Sequence, residues 1–350
     1  MYNFSFQNPV KLIMGKGTIA TLSNEIPKDK SIMITFGGGS VKKNGVYDQV
    51  IKALQGYNTV EFWGIEPNPS IETLRKAIAL GKEKKVDFLL AVGGGSVIDG
   101  TKLISAGLLY DGDAWDMVLA GKPAAGTVPL ATVLTLPATG SEMNNGAVIS
   151  SYEKKLADTF VHVMEQYMTT PGQSRLMDRW AESILQTLIE IAPKIRENKT
   201  DYQLMADFML SATMALNGFI AMGVSQDWGT HMIGHELTAL HGLSHGHTLA
   251  IVYPATLRVL KEDKAGKILQ YAERVWQIST GSNEERINKA IAKTEDFFRS
   301  LGLTTRLNEE QIGEATINEI EKRFTERNVA YGENGKVTAA VARQILESCL

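Results

Sequence analysis

Two hydrophobic periods divide the chain. Over roughly the first 150 residues, short β-rich apolar runs alternate with segments whose apolar residues recur every three or four positions. This pattern predicts strands at residues 32–36, 59–63, 87–92 and 127–136. Helices are predicted at 44–54, at 70–85, and after the glycine loop at 93–96 through Leu109. Ser70 is a candidate N-cap, with Glu72 in the first turn. The run at 87–92 has the unbroken apolar character of a strand covered on both faces. Strand–helix alternation at this spacing implies a parallel sheet with helices on its faces. After about residue 155 strand signals almost vanish. Helical periodicity then fills 156–168, 174–195, 201–221, 226–240, 248–262, 265–277, 283–301 and 338–350. The expected fold is an α/β nucleotide-binding domain over residues 1–155, with a parallel, Rossmann-like sheet, followed by an all-α metal-binding domain over 156–350. No internal repeat or low-complexity tract interrupts it.

Composition narrows the class without naming a function. With 44% hydrophobic and 21% charged residues in 350, the chain has the make-up of an ordinary globular protein. A net charge of −3 gives no footprint for nucleic acid or an anionic membrane. The single cysteine, Cys349, cannot form an internal disulfide, which fits a cytoplasmic setting. The first residues have neither the basic start nor the apolar run of a signal peptide. The uncharged stretch 123–141 holds three prolines and several hydroxyls. It reads as a buried strand followed by a polar loop, because such groups are poorly tolerated in hydrocarbon.

Two glycine-rich turns follow predicted strands. Gly93-Gly94-Gly95-Ser96 lies between a strand and a helix, where bare backbone N–H groups favour an anion such as a pyrophosphate. It is not the G-x-G-x-x-G pattern, and a tight capped turn explains it equally well. Gly37-Gly38-Gly39-Ser40 follows the first strand. No carboxylate stands near it to hold a ribose diol; Ser40, Lys42 and Lys43 would instead accept a 2′-phosphate, which favours NADP(H) over NAD(H). The plainer reading is that the two lysines solvate a helix start. A third turn, from Thr135 to Glu142, carries hydroxyls at a strand end, where ligands of open α/β sheets sit.

All six histidines lie between His162 and His247, and five fall within 231–247. Asp158 and His162 are four apart on a predicted helix, as are His231 and His235, so each pair shares a helix face. His241 borders a helix end with Gly242 as its cap, and His245 falls in a short loop before the next helix. Three imidazoles and one carboxylate suit Zn(II) or Fe(II), and argue against Mg or Ca. An isolated Asp/His pair is more often a surface or capping pair. His241 and His247 are not expected to be ligands, and spacing alone does not choose between His231 and His235.

The segments Ala91-Val-Gly-Gly-Gly-Ser96-Val-Ile-Asp99, Gly64-Ile-Glu-Pro-Asn68-Pro, Leu134-Thr-Leu-Pro-Ala-Thr-Gly-Ser-Glu142 and His231-Met-Ile-Gly-His-Glu-Leu-Thr-Ala-Leu-His-Gly-Leu-Ser-His245 together resemble the iron-containing (group III) alcohol dehydrogenases. The likeness spans nearly the whole chain and leans to their aldehyde reductase and butanol dehydrogenase branch. It implies a dehydroquinate synthase-like architecture. It implies a metal on Asp158, His162, His231 and His245, with His235 near the site. It implies a dinucleotide on Gly94, Gly95 and Ser96, with Asn68, Asp99, Thr135 and Thr139 around ribose and nicotinamide. Gly38, Gly39 and Ser40 would face the 2′-phosphate. The implied reaction is hydride transfer between NADP(H) and a small aliphatic aldehyde or alcohol, with Fe(II) or Zn(II) as Lewis acid and His235 in the proton path. Same-fold polyol dehydrogenases and lyases would need a more polar pocket. A homodimer is the expected assembly, with residues 3–14 a candidate for pairing across subunits.

One departure stands out. Between Ser150 and Leu156 the family usually carries several dozen more residues, including a lysine near the nicotinamide and a further strand. Here Val148-Ile-Ser-Ser-Tyr-Glu-Lys-Lys155 runs almost directly into Leu156-Ala-Asp158. Loss of a strand and a cofactor contact would be costly, so the expectation is that the protein has the segment although this sequence does not show it; a true deletion would turn the expectation towards an inactive metal- or nucleotide-binding protein.

Overall fold

The computed structural model of the chain describes every residue except 68, 121–123, 137–139, 145–151 and 199, and gives only the backbone at 119, 120, 152 and 153. The chain divides into two compact units. One comprises Pro9–Pro137 and Ser141–Ile149; the other comprises Met1–Asn8, Ala138–Gly140 and Ser150–Leu350.

The first unit contains, in order, α1 (Leu22–Glu25), β1 (Ser31–Phe36), α2 (Ser40–Lys43), α3 (Val46–Ala53), β2 (Asn58–Phe62), α4 (Ile71–Glu83), β3 (Phe88–Gly94), α5 (Gly95–Leu109), α6 (Ala114–Ala120) and β4 (Leu130–Leu136). The strands form one sheet in the order β2-β1-β3-β4, every pairing parallel. Alternate side chains of a strand point to opposite faces, and both faces are apolar here. Met33, Leu89 and Ala91 pack with Leu74, Ile78, Val97 and Ile104 from α4 and α5. Ile32, Ile34, Phe36, Leu90 and Val92 pack on the other face with Leu22, Val41 and Val50. Ser70 caps α4 by accepting from the Thr73 N–H, as its position suggested. The order reverses between β1 and β3, the point at which open α/β sheets bind ligands beyond their strand ends.

Three expectations need correction here. Gly93 and Gly94 are not loop residues, because β3 runs through Gly94 and α5 starts at Gly95. A Cβ at Gly93 would lie 2.5 Å from Val97 Cγ2, so only glycine lets the first turn of α5 fold back on its strand. The stretch read as a buried strand is half-buried over its whole observed length, β4, since among the described residues β4 is an edge strand. Helix α6 carried too short a pattern to be expected. Of the expected nucleotide residues, Asn68 and Thr139 lie outside the described residues, as does most of the junction before Leu156.

The second unit is helical: α7 (Tyr152–Tyr167), α8 (Arg175–Glu197), α9 (Tyr202–Leu216), α10 (Gly229–His241), α11 (His245–Val259), α12 (Lys261–Arg274), α13 (Asn283–Ser300), α14 (Glu314–Glu326) and α15 (Ala339–Glu347). Helix α11 is buried on all sides from His245 to Leu257, the signature of a central helix. One core lies along α7, α8, α9 and α13 with Leu249, Tyr253 and Leu257 of α11. The other gathers Ile233, Leu237, Ile251, Ile317, Ile320 and Phe324. Helix α9 stops at Leu216, short of the expected residue 221. Asn217 accepts from the Phe219 N–H at 3.0 Å, and this side-chain turn competes with further helix. Helix α14 was not expected, although Ile317, Ile320 and Phe324 carry its spacing. No helix of the described residues is long and apolar enough to cross a membrane.

Candidate metal centre and nucleotide turns

Asp158 and His162 come from α7, His231 from α10, and His245 opens α11. His245 is therefore the first residue of a helix, with Ser244 as N-cap, and not a loop residue as its Gly-flanked sequence suggested. All four side chains are buried, and one ligand atom from each can be chosen so that all lie within 4.8 Å of one another. His162 Nε2 and His231 Nε2 face each other at 3.1 Å. His245 Nε2 lies 3.8 Å from Asp158 Oδ1. His162 Nδ1 sits 2.8 Å from the Asp158 carbonyl oxygen. A carbonyl only accepts, so that nitrogen carries the proton and the Nε2 lone pair is left facing the cluster.

Both ring nitrogens of His245 are buried without a hydrogen-bond partner, and of the Asp158 carboxylate only Oδ1 has a close polar neighbour, His162 Nδ1 at 3.0 Å. Buried polar atoms are otherwise nearly always paired, and an unpaired one costs kilocalories. A divalent ion ligated by three nitrogens and an oxygen would take one oxygen of Asp158 and one nitrogen of His245, so the donor set fits the zinc or iron that its chemistry suggests.

Charge in the cluster is arranged to suit. Burial disfavours the Asp158 carboxylate, but His162, His245 and His231 together bring it down to about 2. Burial also lowers His162, yet Asp158 beside it leaves that ring raised. Burial takes His231 well below its ordinary 6.5 and takes His245 down to about 3. Below pH 6.5 the unfolded chain therefore accepts protons at two histidines that the folded, ion-free chain refuses. A depressed histidine contributes stability above 6.5 and loses about 1.4 kcal/mol of it per pH unit on the way down. The raised His162 has its contribution in place below 6.5 and adds no slope there; Glu165, which burial raises to about 8, works in the opposite direction across this window, one group against two. Chelator-treated protein is expected to melt progressively lower between pH 6.5 and pH 5; a flat or rising melting temperature over that window contradicts this reading.

His235 stands apart from the four. It is exposed on one side and stacks on His245, with ring centroids 4.8 Å apart and an interplanar angle of 21°. Loss of water from that stacked face lowers its pKa. Trp228 meets His231 and His162 edge-on, with centroids 5.1 and 5.8 Å away. His241 is hydrogen-bonded to Thr316 at 2.8 Å, and His247 to Thr304. Glu165 was missed, although it stands one turn beyond His162 on the same face. Its carboxylate meets His231 Nδ1. Burial, with Asp227 nearby, raises it to about 8, so a positive charge close by is what would keep it ionised.

In the sheet unit the turn after β1 and the direct junction of β3 with α5 flank the point of order reversal. Gly38, Gly39 and Ser40 lead into α2, and Gly95 and Ser96 open α5. The register pairs Phe36 with Val92 and Gly94 with Leu136, so these strand ends, with Thr135, share one edge. Lys42 does not simply solvate a helix start. Its Nζ lies 4.3 Å from the Trp63 ring centre and 5.0 Å from that of Tyr47. Buried Asp99 accepts from Ser141 Oγ, and Lys102 Nζ donates to the same hydroxyl at 2.8 Å.

A parallel-sheet unit joined in one chain to a helical unit bearing a three-histidine, one-carboxylate cluster is the plan of a metal-dependent dehydrogenase. Direct comparison gives the family. Residues 9–168 match the pattern of the iron-containing alcohol dehydrogenases, and residues 156–350 match that family's C-terminal region. The chain belongs to the iron-containing alcohol dehydrogenase family, whose members are oxidoreductases. It is 46% identical to the NADPH-dependent aldehyde reductase YqhD of Escherichia coli K12, over 99% of this chain and 100% of that protein. It is 38% identical to a probable NADH-dependent butanol dehydrogenase of Bacillus subtilis, over 91% and 92%. Among solved structures, E. coli YqhD superimposes with a TM-score of 0.95 at 46% identity, covering 100% of this chain and 99% of that one. An NADH-dependent butanol dehydrogenase of Thermotoga maritima gives 0.92 at 32% identity, covering 100% and 99%. The alignment with the E. coli reductase spans 385 positions against 350 residues here, so at least 35 of its positions have no counterpart in this chain.

Proposed function

We propose that this chain is a metal-dependent alcohol dehydrogenase acting as an aldehyde reductase, exchanging hydride between NADP(H) and small aliphatic aldehydes or alcohols. The observation that carries the reading is the buried cluster of four ligand atoms within 4.8 Å of one another, in which neither ring nitrogen of His245 has a hydrogen-bond partner. Asp158, His162, His231 and His245 would hold one divalent ion, Fe(II) or Zn(II). Gly38, Gly39, Ser40, Gly94, Gly95, Ser96, Asp99 and Thr135 would hold the nucleotide, joined by Asn68 and Thr139 on the family resemblance. When bound, the ion supplies Lewis-acid polarisation of a carbonyl and the nucleotide supplies or accepts the hydride. We assign the proton to His235, whose solvent-facing side can exchange with water while its other face rests on His245. Of the apolar residues near the histidines, Ile233 and Leu237 are core, with Met232, Leu240 and Leu243 packed against them. The preference for aliphatic substrates therefore rests on the relatives and not on those side chains. A homodimer in the cytoplasm, paired through residues 3–14, completes the proposal.

The direct test is NADPH and NADH oxidation with butanal by metal-loaded protein. Failure with both nucleotides despite bound metal removes the reductase reading. Ser40→Asp should set a carboxylate against the 2′-phosphate, a like-charge contact costing several kcal/mol. KM for NADPH is expected to rise roughly tenfold or more while KM for NADH does not rise. Equal KM shifts for the two nucleotides would show that this turn does not read the phosphate.

A further inference from the structure

Helix α10 starts without a cap of its own. Its N-cap residue, Trp228, has a left-handed backbone (φ 64°) and makes no side-chain capping bond. Two carboxylates cover the exposed donors instead. Asp227 Oδ1 accepts from the Gly229 N–H at 3.0 Å, and Glu165 Oε1 accepts from the Thr230 N–H at 2.7 Å. Glu165 reaches α10 from α7, and the Asp227 N–H donates at 2.9 Å to the Glu165 backbone carbonyl. The second oxygen of the same carboxylate, Oε2, meets Nδ1 of His231, the residue after Thr230. Asp227 is itself held by Lys264 Nζ at 2.7 Å, and that ammonium also donates to the Met168 carbonyl at 2.7 Å.

We propose that Glu165 is a positioning residue of the metal centre: one oxygen caps α10 while the other takes the Nδ1 proton of His231, turning the His231 Nε2 lone pair toward the ion. This rests on the reading of the four-residue cluster as an ion site. An imidazole that binds an ion through Nε2 must carry its proton on Nδ1, and that proton needs an acceptor. Each carboxylate oxygen faces one N–H donor, so with the ion bound the group serves as a double acceptor. His162 solves the same problem locally, through the Asp158 carbonyl one turn back. His245 has neither nitrogen bonded. Two rings are thus set before an ion arrives, and the third is left to be fixed by it.

A glutamine at 165 offers one acceptor oxygen for two donors, so it cannot do both tasks, and alanine does neither. In Glu165→Gln and Glu165→Ala, the dissociation constant for Co(II) is expected to rise about 10–100-fold, with an altered visible absorption of the bound cobalt and a chelated protein that still folds. A cap alone would lower the melting temperature of the chelated variants and leave cobalt affinity and spectrum at the wild-type values; that result overturns the proposal. Should either variant fail to fold, the wild type decides. In Zn(II)-loaded protein with ¹⁵N-labelled histidine, His231 is expected to be protonated at Nδ1 and ion-bound at Nε2, and binding through Nδ1 overturns the assignment. Wild-type protein that takes up no cobalt defeats the ligand reading and this inference with it. Wild-type uptake with unchanged affinity in Glu165→Gln defeats this inference alone.

Discussion

His245→Ala is expected to strip the ion and lower turnover by about 10³-fold or more. Lewis-acid stabilisation of developing charge is worth several kcal/mol, and about 4 kcal/mol corresponds to roughly three decades of rate. His245 is a demanding place to remove a ligand, because neither of its nitrogens has another partner. The loss leaves three of the four ligands, with the buried Asp158 carboxylate among them. Metal content by elemental analysis and NADPH-linked butanal reduction read the result together. Full occupancy with retained turnover would remove His245 from the ligand set.

The second large effect is expected one residue further on. Helices α7 and α11 cross so closely that a Cβ on Gly246 would lie 2.0 Å from the Lys154 carbonyl oxygen and 3.2 Å from Asp158 Cβ. The obstructing atom is backbone, so no rotamer change relieves it. Gly246→Ala must push the helices apart, at the upper end of the usual overpacking cost, about 3 kcal/mol. For a chain of this size that corresponds to a melting temperature lower by about 4 °C. Asp158 and His245 ride on the two displaced helices, and metal–ligand distances tolerate only about 0.2 Å. Ion affinity should therefore fall along with stability. A variant that melts within a degree of wild type and keeps its affinity would show that the helices can part without cost.

The amount of this that could be read from sequence follows from how local each signal is. Strands β1 and β3 announced themselves because a doubly covered strand is apolar on both faces, as Leu89 to Val92 are throughout and Ile32 to Phe36 are but for Thr35. The pairs Asp158/His162 and His231/His235 were visible as four-residue spacings. Which of His231 and His235 turns inward depends on how α10 is rotated against α7, and spacing holds no record of that. The family resemblance favoured His231, whose Nε2 is the one that meets His162. Gly246 misled the reading in an instructive way. It lies in the stretch expected as a short loop before residue 248, whereas its smallness serves a helix crossing, and the helix begins three residues earlier, at His245. Glu165 was within reach, seven residues after Asp158 on a helix face, but its role needs a partner 66 residues away.

The three helices that meet at the cluster are drawn from positions 158 to 245 of the sequence, and an ion joining them would act as a removable rivet. Occupancy should therefore govern the lifetime of the chain as well as its chemistry. At a free ion level about a thousand times the dissociation constant, binding adds roughly 4 kcal/mol in favour of the folded form. A cell short of the ion would carry a pool that is idle and also more readily digested, so supply of the metal would set how much protein persists.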